Sequence, residues 1–599
     1  MIQYIRNIKI RRFILLLVSI PLFTGCEGLF EPAIENLRDT ESLENEAILA
    51  QTILGRAYLG HPLRNWSFND VATDDAVSNS RTNEYMRMAT GQWSANNSPM
   101  NGRWQNRRNS LQYVNLFLDM LNTNKVTFSQ DPVINGMFRD RMIGDAHGMR
   151  ALFMYHLILE HAGFSDDGQL LGIPILLKPE TLNSDFNLPR NTLKECLDQI
   201  NADLQVAIDN LPQRYSFNLT ANKDEDVPPR YKSQSVTAAE YYRVFGDAQA
   251  AGRMDGLIAS AIRAQATLLA ASPAYSAGTG VSWEQAANQM AIVLSSLGTN
   301  PISQIDATGV TWYDNSEVNN LSGARNPKEI LWRGDTDDNR SLEEDHFPPT
   351  LYGRGSLNPT QNLVDAFPMA NGYPITEAAS GYNSSNPYAG RDPRLEKYII
   401  YNGMTYKSEV INTAEDGTSN NALNRTETST RTGYYMKKHL RPEVNANPSS
   451  PNNRRHYKAY IRYTEIFLGY AEAANEAYGP QGTGTNGYSA YDVIKAIRSR
   501  AGITGGDAYL ESIKGNKDKM RELIHNERRL ELCFEGHRFW DLRRWKEPIA
   551  VTAKGMRISG GTFSPIDVEQ HQYEDYMYHA PIPYSEVLKF SNLKQNKGW

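Results

Sequence analysis

Three cysteines in 599 residues are too few to staple a chain of this size. A disulfide-framework fold is therefore excluded. Cys196 and Cys533 lie on apolar faces of helical patterns and read as buried free thiols, with one bridge between them as the alternative. Basic charge is scarce as well. The 62 Lys and Arg face 68 Asp and Glu, a net charge of -6, without the basic surplus of a nucleic-acid binder. Beyond residue 23 no apolar run approaches the roughly 20 residues that cross a bilayer. Catalytic signatures are missing: there is no GxSxG elbow, P-loop or Cys–His pair. Gly482, Gly484 and Gly487 spell GxGxxG, but a helical pattern precedes them instead of a strand, so they read as an interhelical turn. His525, Glu527, Glu531 and His537 lack the i, i+4 histidine pair of zinc hydrolases, and His156 and His161 do not share a helix face. The runs Asp74-Asp75 and Glu343-Glu344-Asp345 read as solvated loop faces, because sequence neighbours rarely straddle a cleft as glycosidase carboxylates must. We expect no cofactor, no metal site and no catalytic centre.

What is present begins with a leader. Arg6, Lys9, Arg11 and Arg12 form a positive head, and Phe13 to Phe23 supply about eleven largely apolar residues, too short to span a membrane. Thr24-Gly25-Cys26 closes the run with small residues before a cysteine, the layout of a bacterial lipoprotein signal over residues 1–25. Cleavage before Cys26 would free its thiol and amino group for acylation, and two or more chains make a stable anchor. The expected product is exported and tethered to a membrane.

The mature chain of roughly 570 residues exceeds one hydrophobic core. Its helical periodicity comes in pairs. Leu193, Leu197, Ile200, Leu204, Ile208 and Leu211 draw one apolar stripe, with Thr192 and Glu195 as a capping box and Pro212 as the stop. The partner pattern runs from about Phe138 to His161. Further pairs span about 254–271 with 283–297, 461–478 with 488–501, and 43–60 with 104–122. Short helix pairs that cannot bury their own stripes predict a mainly α, tetratricopeptide-like scaffold of about four pairs. Residues 61–103, 213–251 and 301–460 are rich in Gly, Asn, Pro, Ser and Tyr, with brief strand-like runs such as Glu329 to Arg333. The expected division is a helical part over 26–300 with inserted loops, an irregular loop-rich region over 301–460, and a closing helix pair and C-terminal segment over 461–599.

The last third carries a family pattern. Glu527-Arg528-Arg529, Glu531, Glu535-Gly536, Arg538, Trp540-Asp541-Leu542 and Arg544-Trp545 follow one another in a fixed order. So do Pro359 to Phe367, Arg391-Asp392-Pro393-Arg394-Leu395, Thr432-Gly433-Tyr434-Tyr435, Pro581-Ile582-Pro583-Tyr584 and the ending Asn592 to Trp599. This resembles the SusD/RagB family of outer-membrane nutrient-binding lipoproteins, and the lipidated Cys26 agrees with it. The resemblance implies four tetratricopeptide-like helix pairs, no catalysis, and a lid over a SusC-like TonB-dependent transporter that captures oligosaccharides; the RagB branch takes peptides instead. Independently of any family, the Arg-rich block reads as a buried salt-bridge knot, since charges among aromatics must be paired.

The chain holds 32 Tyr and 9 Trp, side chains with flat apolar faces and a polar edge. Trp104, Trp283, Trp332, Trp540, Trp545 and Trp599 fall in helices, a strand-like run or terminal blocks. Trp66, Trp93 and Trp312 remain, all in loops. Trp93 stands by Asn96, and Trp312 by Tyr313 and Asp314, so each pairs a stacking ring with hydrogen-bonding groups as a sugar requires. The expected ligand contacts are Trp66, Trp93, Asn96, Trp312 and Tyr313, with Tyr275 and Tyr352 as further choices.

Overall fold

The computed structural model describes residues 47–123, 126–215, 223–246, 252–321 and 325–599. The signal segment and Cys26 lie outside the described residues. The helical frame consists of α1 (Ala47–Leu59), α2 (Asn101–Asn122), α3 (Pro132–His161), α4 (Leu193–Asn210), α5 (Gly256–Ala271), α6 (Trp283–Leu294), α7 (Tyr463–Tyr478) and α8 (Ala490–Ala501). They form the four expected pairs, and each pair packs on the next to continue the stack. Their starts are fixed locally. Capping boxes open α4 at Thr192/Glu195, α6 at Ser282/Gln285 and α8 at Ser489/Asp492, while Asp131 caps α3 just before Pro132. α3 is buried along most of its length. Gly144 and Gly148 let its neighbours close in: a Cβ on them would stand 2.8 Å from Leu211 Cγ and 2.4 Å from Met254 Cγ. No described helix is long and apolar enough to cross a membrane.

Two large hydrophobic cores result. One is the helix stack, around residues such as Trp104, Phe117, Phe153, Leu204, Ile262 and Phe467. The other is built mostly from loops and short elements, including Val71, Trp93, Trp312, Phe347, Tyr398, Tyr434 and Phe539. The second core draws on residues 71–100, 310–457 and 530–580, so the two cores interleave along the chain. A smaller cluster around Tyr231, Tyr241 and Phe245 caps the start of α3.

Among the described residues the strands form two-stranded ribbons. β1 (Ala76–Ser78) pairs antiparallel with β4 (Leu357–Pro359). β2 (Ile330–Arg333) and β3 (Asp337–Asn339) pair with β6 (Ala459–Arg462) and β5 (Arg454–His456), making one long irregular ribbon. β7 (Thr552–Ser559) and β8 (Thr562–Gln570) form a hairpin turned by Gly560 and Gly561, both at positive φ.

The Arg-rich block over α9 (Lys517–Glu531) and α10 (Arg538–Trp545) is a buried ion-pair network. Arg394 reaches Glu527 at 2.8 Å and Glu531 at 2.9 Å, Arg498 reaches Glu527 at 2.6 Å, and Arg528 reaches Asp541 at 2.7 Å. Two expectations need correction. Asp74 and Asp75 are not a solvated face: they pair with Arg538 at 2.9 Å and Arg529 at 2.6 Å and tie the loop before β1 to the block. Glu343 is likewise buried, against His456. Arg543 stands outside the knot. Its guanidinium lies 3.5 Å from the Phe539 ring centroid, near Trp93 and Tyr573, and burial lowers its pKa to about 10. Cys196 and Cys533 are buried free thiols in different cores.

Candidate functional site

The loop that leaves α1 runs over the seam between the two cores. Gly60 starts it where α1 ends; a Cβ there would collide with Ser110 on α2, so the turn is pressed against the helix. His61 stacks on Tyr460 at 4.2 Å and meets Trp332 edge-on at 4.6 Å. Its Nδ1 accepts from the Leu63 N–H, and burial holds its pKa well below the usual value, so the ring is neutral and carries its proton on Nε2. Across the seam Trp66 stacks beside Phe68 at 6.0 Å and against His439 at 4.9 Å. Only His61 of this pair is buried; Trp66 is half-buried.

The ribbon supplies the facing wall. Gly334 donates its N–H to the Lys458 carbonyl at 2.9 Å, and a Cβ on Gly334 would stand 2.7 Å from Tyr460 Oη. Glycine at this point lets the Tyr460 ring lie over the backbone. Lys458 projects toward Trp66, its Nζ 5.7 Å from the ring centroid, and donates to the Asn65 carbonyl. Two clefts of about 670 and 690 Å³ open on either side of this point, and Arg64, Asn65, Trp66 and Lys458 line both. Asn326, Asn339 and Tyr460 line the first, while Tyr85 and Arg103 line the second. Arg103 bonds Glu160 at 3.2 Å and Ser67 at 3.3 Å, fixing the second wall. Half-exposed rings among amides and hydroxyls can stack on a sugar and bond its hydroxyls.

The other expected contacts fall differently. Trp66 alone of the three loop tryptophans keeps an accessible ring edge. Trp312 is 1 % exposed, enclosed by Tyr313, His439 and Tyr457, and Tyr313 donates to the Lys397 carbonyl at 3.3 Å. Trp93 is 4 % exposed, packed on Trp599 at 4.7 Å and donating to Ser98 at 3.1 Å. Tyr275 is buried against His579. The expectation of open platforms at Trp93, Trp312, Tyr313 and Tyr275 is thus corrected: their faces are occupied by the second core and its border with the stack. Asn96 is exposed beside the buried Trp93, and Tyr352, 55 % exposed, stands apart with φ +65°. Trp66 and Trp312 are brought together on two sides of His439; Trp93 and Tyr275 gather around Trp599 and His579.

Sequence reasoning missed Asn65, Lys458 and Tyr460. A signal for the first was present, since Arg64-Asn65-Trp66 already sets a ring beside a cation and an amide. Lys458 and Tyr460 gave none, because the pairing that brings the ribbon to Trp66 is long-range. Among the described residues no group of three or more His, Cys, Asp or Glu is placed to hold a metal ion.

Comparison with known proteins agrees with this architecture. The model of the SusD family matches residues 318–599, and one described as "Starch-binding associating with outer membrane" matches residues 31–224. Two SusD-like proteins of Formosa agariphila are 28 % identical over 151 residues and 32 % identical over 111 residues. Those matches span 24 % and 18 % of this chain, and only 26 % and 19 % of the relatives' own lengths. A SusD-like protein from Bacteroides fragilis superimposes with TM-score 0.69 at 22 % identity, covering 95 % of this chain and all of that one. A second protein from that species, titled a SusD-like carbohydrate binding protein, gives 0.67 at 21 % identity over 92 % of this chain and all of its own. With two models of the family matching most of the chain in order, and its paired-helix frame matched by solved members, the chain belongs to the SusD/RagB family.

Proposed function

We propose that this protein is a non-catalytic, surface-exposed lipoprotein of the outer membrane that captures oligosaccharides and passes them to a SusC-like TonB-dependent transporter. One observation carries the binding role: the half-exposed Trp66 ring lies between two clefts whose walls offer Asn65, Asn326, Asn339 and Tyr460. A ring stacked on a sugar adds roughly 0.5–1.5 kcal/mol beyond burial. A few such contacts give micromolar to millimolar affinity, which suits a protein that must release its cargo. The carbohydrate-binding relative of the same fold supports this reading. Acylation at Cys26 would hold the protein at the membrane, and the transporter would take the cargo from the cleft.

Calorimetry of the purified protein against a panel of oligosaccharides tests the binding role. Trp66→Ala is expected to weaken binding at least tenfold while leaving the melting temperature within a few degrees. Unchanged affinity would overturn the site, and cleavage of any ligand would overturn the non-catalytic reading. Cys26→Ser, followed by labelling with a radioactive fatty acid, tests the anchor: label retained by the variant would refute it.

A further inference from the structure

The cleft walls carry positive charge that the protein itself does not neutralise. Glu160 is taken by Arg103 and Arg107, and Glu535 by Lys438 and Arg462. Among the described residues neither Lys458 nor Arg64 has a carboxylate within 4.0 Å. Lys458 has only the Asn65 carbonyl and the Trp66 face. Arg64 has only the Leu59 carbonyl, at 3.3 Å. The two residues share both clefts with Trp66. Many arginines elsewhere meet carboxylates, among them Arg394, Arg462, Arg498, Arg538 and Arg544 at 2.5–2.9 Å, while buried Arg190, Arg391 and Arg543 are held by several carbonyls or by rings. A partly desolvated lysine without a counter-ion is costly unless something arrives to pair it, and the exposed Arg64 guanidinium stands beside it on the same clefts.

We propose, building on the glycan-binding reading above, that the saccharide this cleft takes is anionic. Its sulfate or carboxylate groups pair with Lys458 and Arg64 while a neighbouring sugar ring stacks on Trp66. An oxyanion on Lys458 forms a charge-assisted hydrogen bond, stronger than the carbonyl contact it now makes. Asp335 and Asp337 on the first cleft and Glu84 on the second are exposed at the rims, and none of them comes within 4.0 Å of Lys458 or Arg64.

The protonation of Lys458 is poised for such a partner. Burial, and then the nearby Arg103 guanidinium, bring its pKa down to about 7. The groups facing it are Asn65 and neutral His61 from the loop, Arg103 from α2, neutral His156 and the paired Glu160 from α3, and the paired Glu535 of the C-terminal block. The carboxylates without a cation of their own on these walls, Glu84, Asp335 and Asp337, are exposed at the rims and do not meet the lysine. A bound oxyanion favours the charged lysine, so binding takes up a proton. Affinity for an anionic ligand should therefore fall as pH rises from 6 to 9.

The test uses calorimetry on the intact protein with three probes of matched length: a sulfated galactan oligosaccharide, an oligogalacturonate and a neutral galactan oligosaccharide. We expect at least one anionic probe to bind at least tenfold more tightly than the neutral one. That binding should weaken about tenfold between 0.05 and 0.5 M NaCl, and about tenfold again in Lys458→Met or Arg64→Gln. The sulfated and uronate arms separate the two anion types. A neutral probe bound as tightly as both anionic ones, and lost in Trp66→Ala, would overturn this proposal and leave the glycan reading standing. Indifference of anionic binding to Lys458→Met and Arg64→Gln would also overturn it. No binding by any probe would sink both readings.

Discussion

Trp66 and Trp312 flank the same imidazole, that of His439, yet their roles are opposite. Trp312 is enclosed on every side, so Trp312→Ala should cost about 3–5 kcal/mol, the usual range for removing a buried tryptophan. Urea unfolding would show it as a lower midpoint, whereas Trp66→Ala should shift that midpoint little. Equal shifts for the two variants would contradict the assignment. Sequence elimination found all three loop tryptophans but could not grade them. Its premise was that a ring in a loop is exposed, and here loops build the second core. Arg543 makes a related point. It lies in the Arg-rich block yet meets rings and one carbonyl, with no carboxylate partner among the described residues. Removing a paired cation is different: Arg394→Met strands Asp392 without solvent, takes one of the cations from Glu527 and Glu531, and should cost about 3–5 kcal/mol. Denaturant titration of that variant measures it.

At the level of elements, the helix pairs were legible because each carries its own evidence. The stripe on α4 and its capping box lie within twenty residues, and the structure places both where the spacing puts them. Thr192→Ala should cost about 1 kcal/mol by leaving the Glu195 N–H without its acceptor; a drop in thermal midpoint of a few degrees checks it. The ribbons were much less legible. Glu329 to Arg333 reads as a strand, but nothing local names residues 459–462 as its partner. The hairpin of β7 and β8 has a local cue in Gly560-Gly561, both at positive φ. Since the ribbon carries Lys458 and Tyr460, half of the cleft could not be read from short-range signals.

For the molecule as a whole, acid sensitivity follows from its buried histidines. Burial holds His161, His346, His571 and His579 near pKa 4 and His439 near 3, and leaves His61 and His156 well below the ordinary value. The unfolded chain, with histidines near 6.5, therefore binds more protons, and this stability is present above that pH and lost as pH falls. Asp70, raised to about 7, and Asp255, raised to about 6, act in the opposite sense. Asp75, Asp145, Asp314, Asp365 and Glu569, also raised, act in the same sense as these two. Seven histidines at up to about 1.4 kcal/mol per pH unit each outweigh these. Lowering pH from 7 to 5.5 should depress the calorimetric melting temperature by several degrees, and His161→Gln should flatten the trend. A melting temperature that rises on acidification would refute it.

The seam at Trp66 has one last implication. Trp332 belongs to the helix stack, Tyr460 packs on it and His61 contacts both rings, while Trp66 and Phe68 pack on the loop-built core. Cargo resting there would grip both halves at once, like a buckle fastened across two pieces of cloth. Occupancy would then slow proteolytic nicking far from the contact, and any slackening between the halves would loosen the hold on cargo without touching a single residue that meets it.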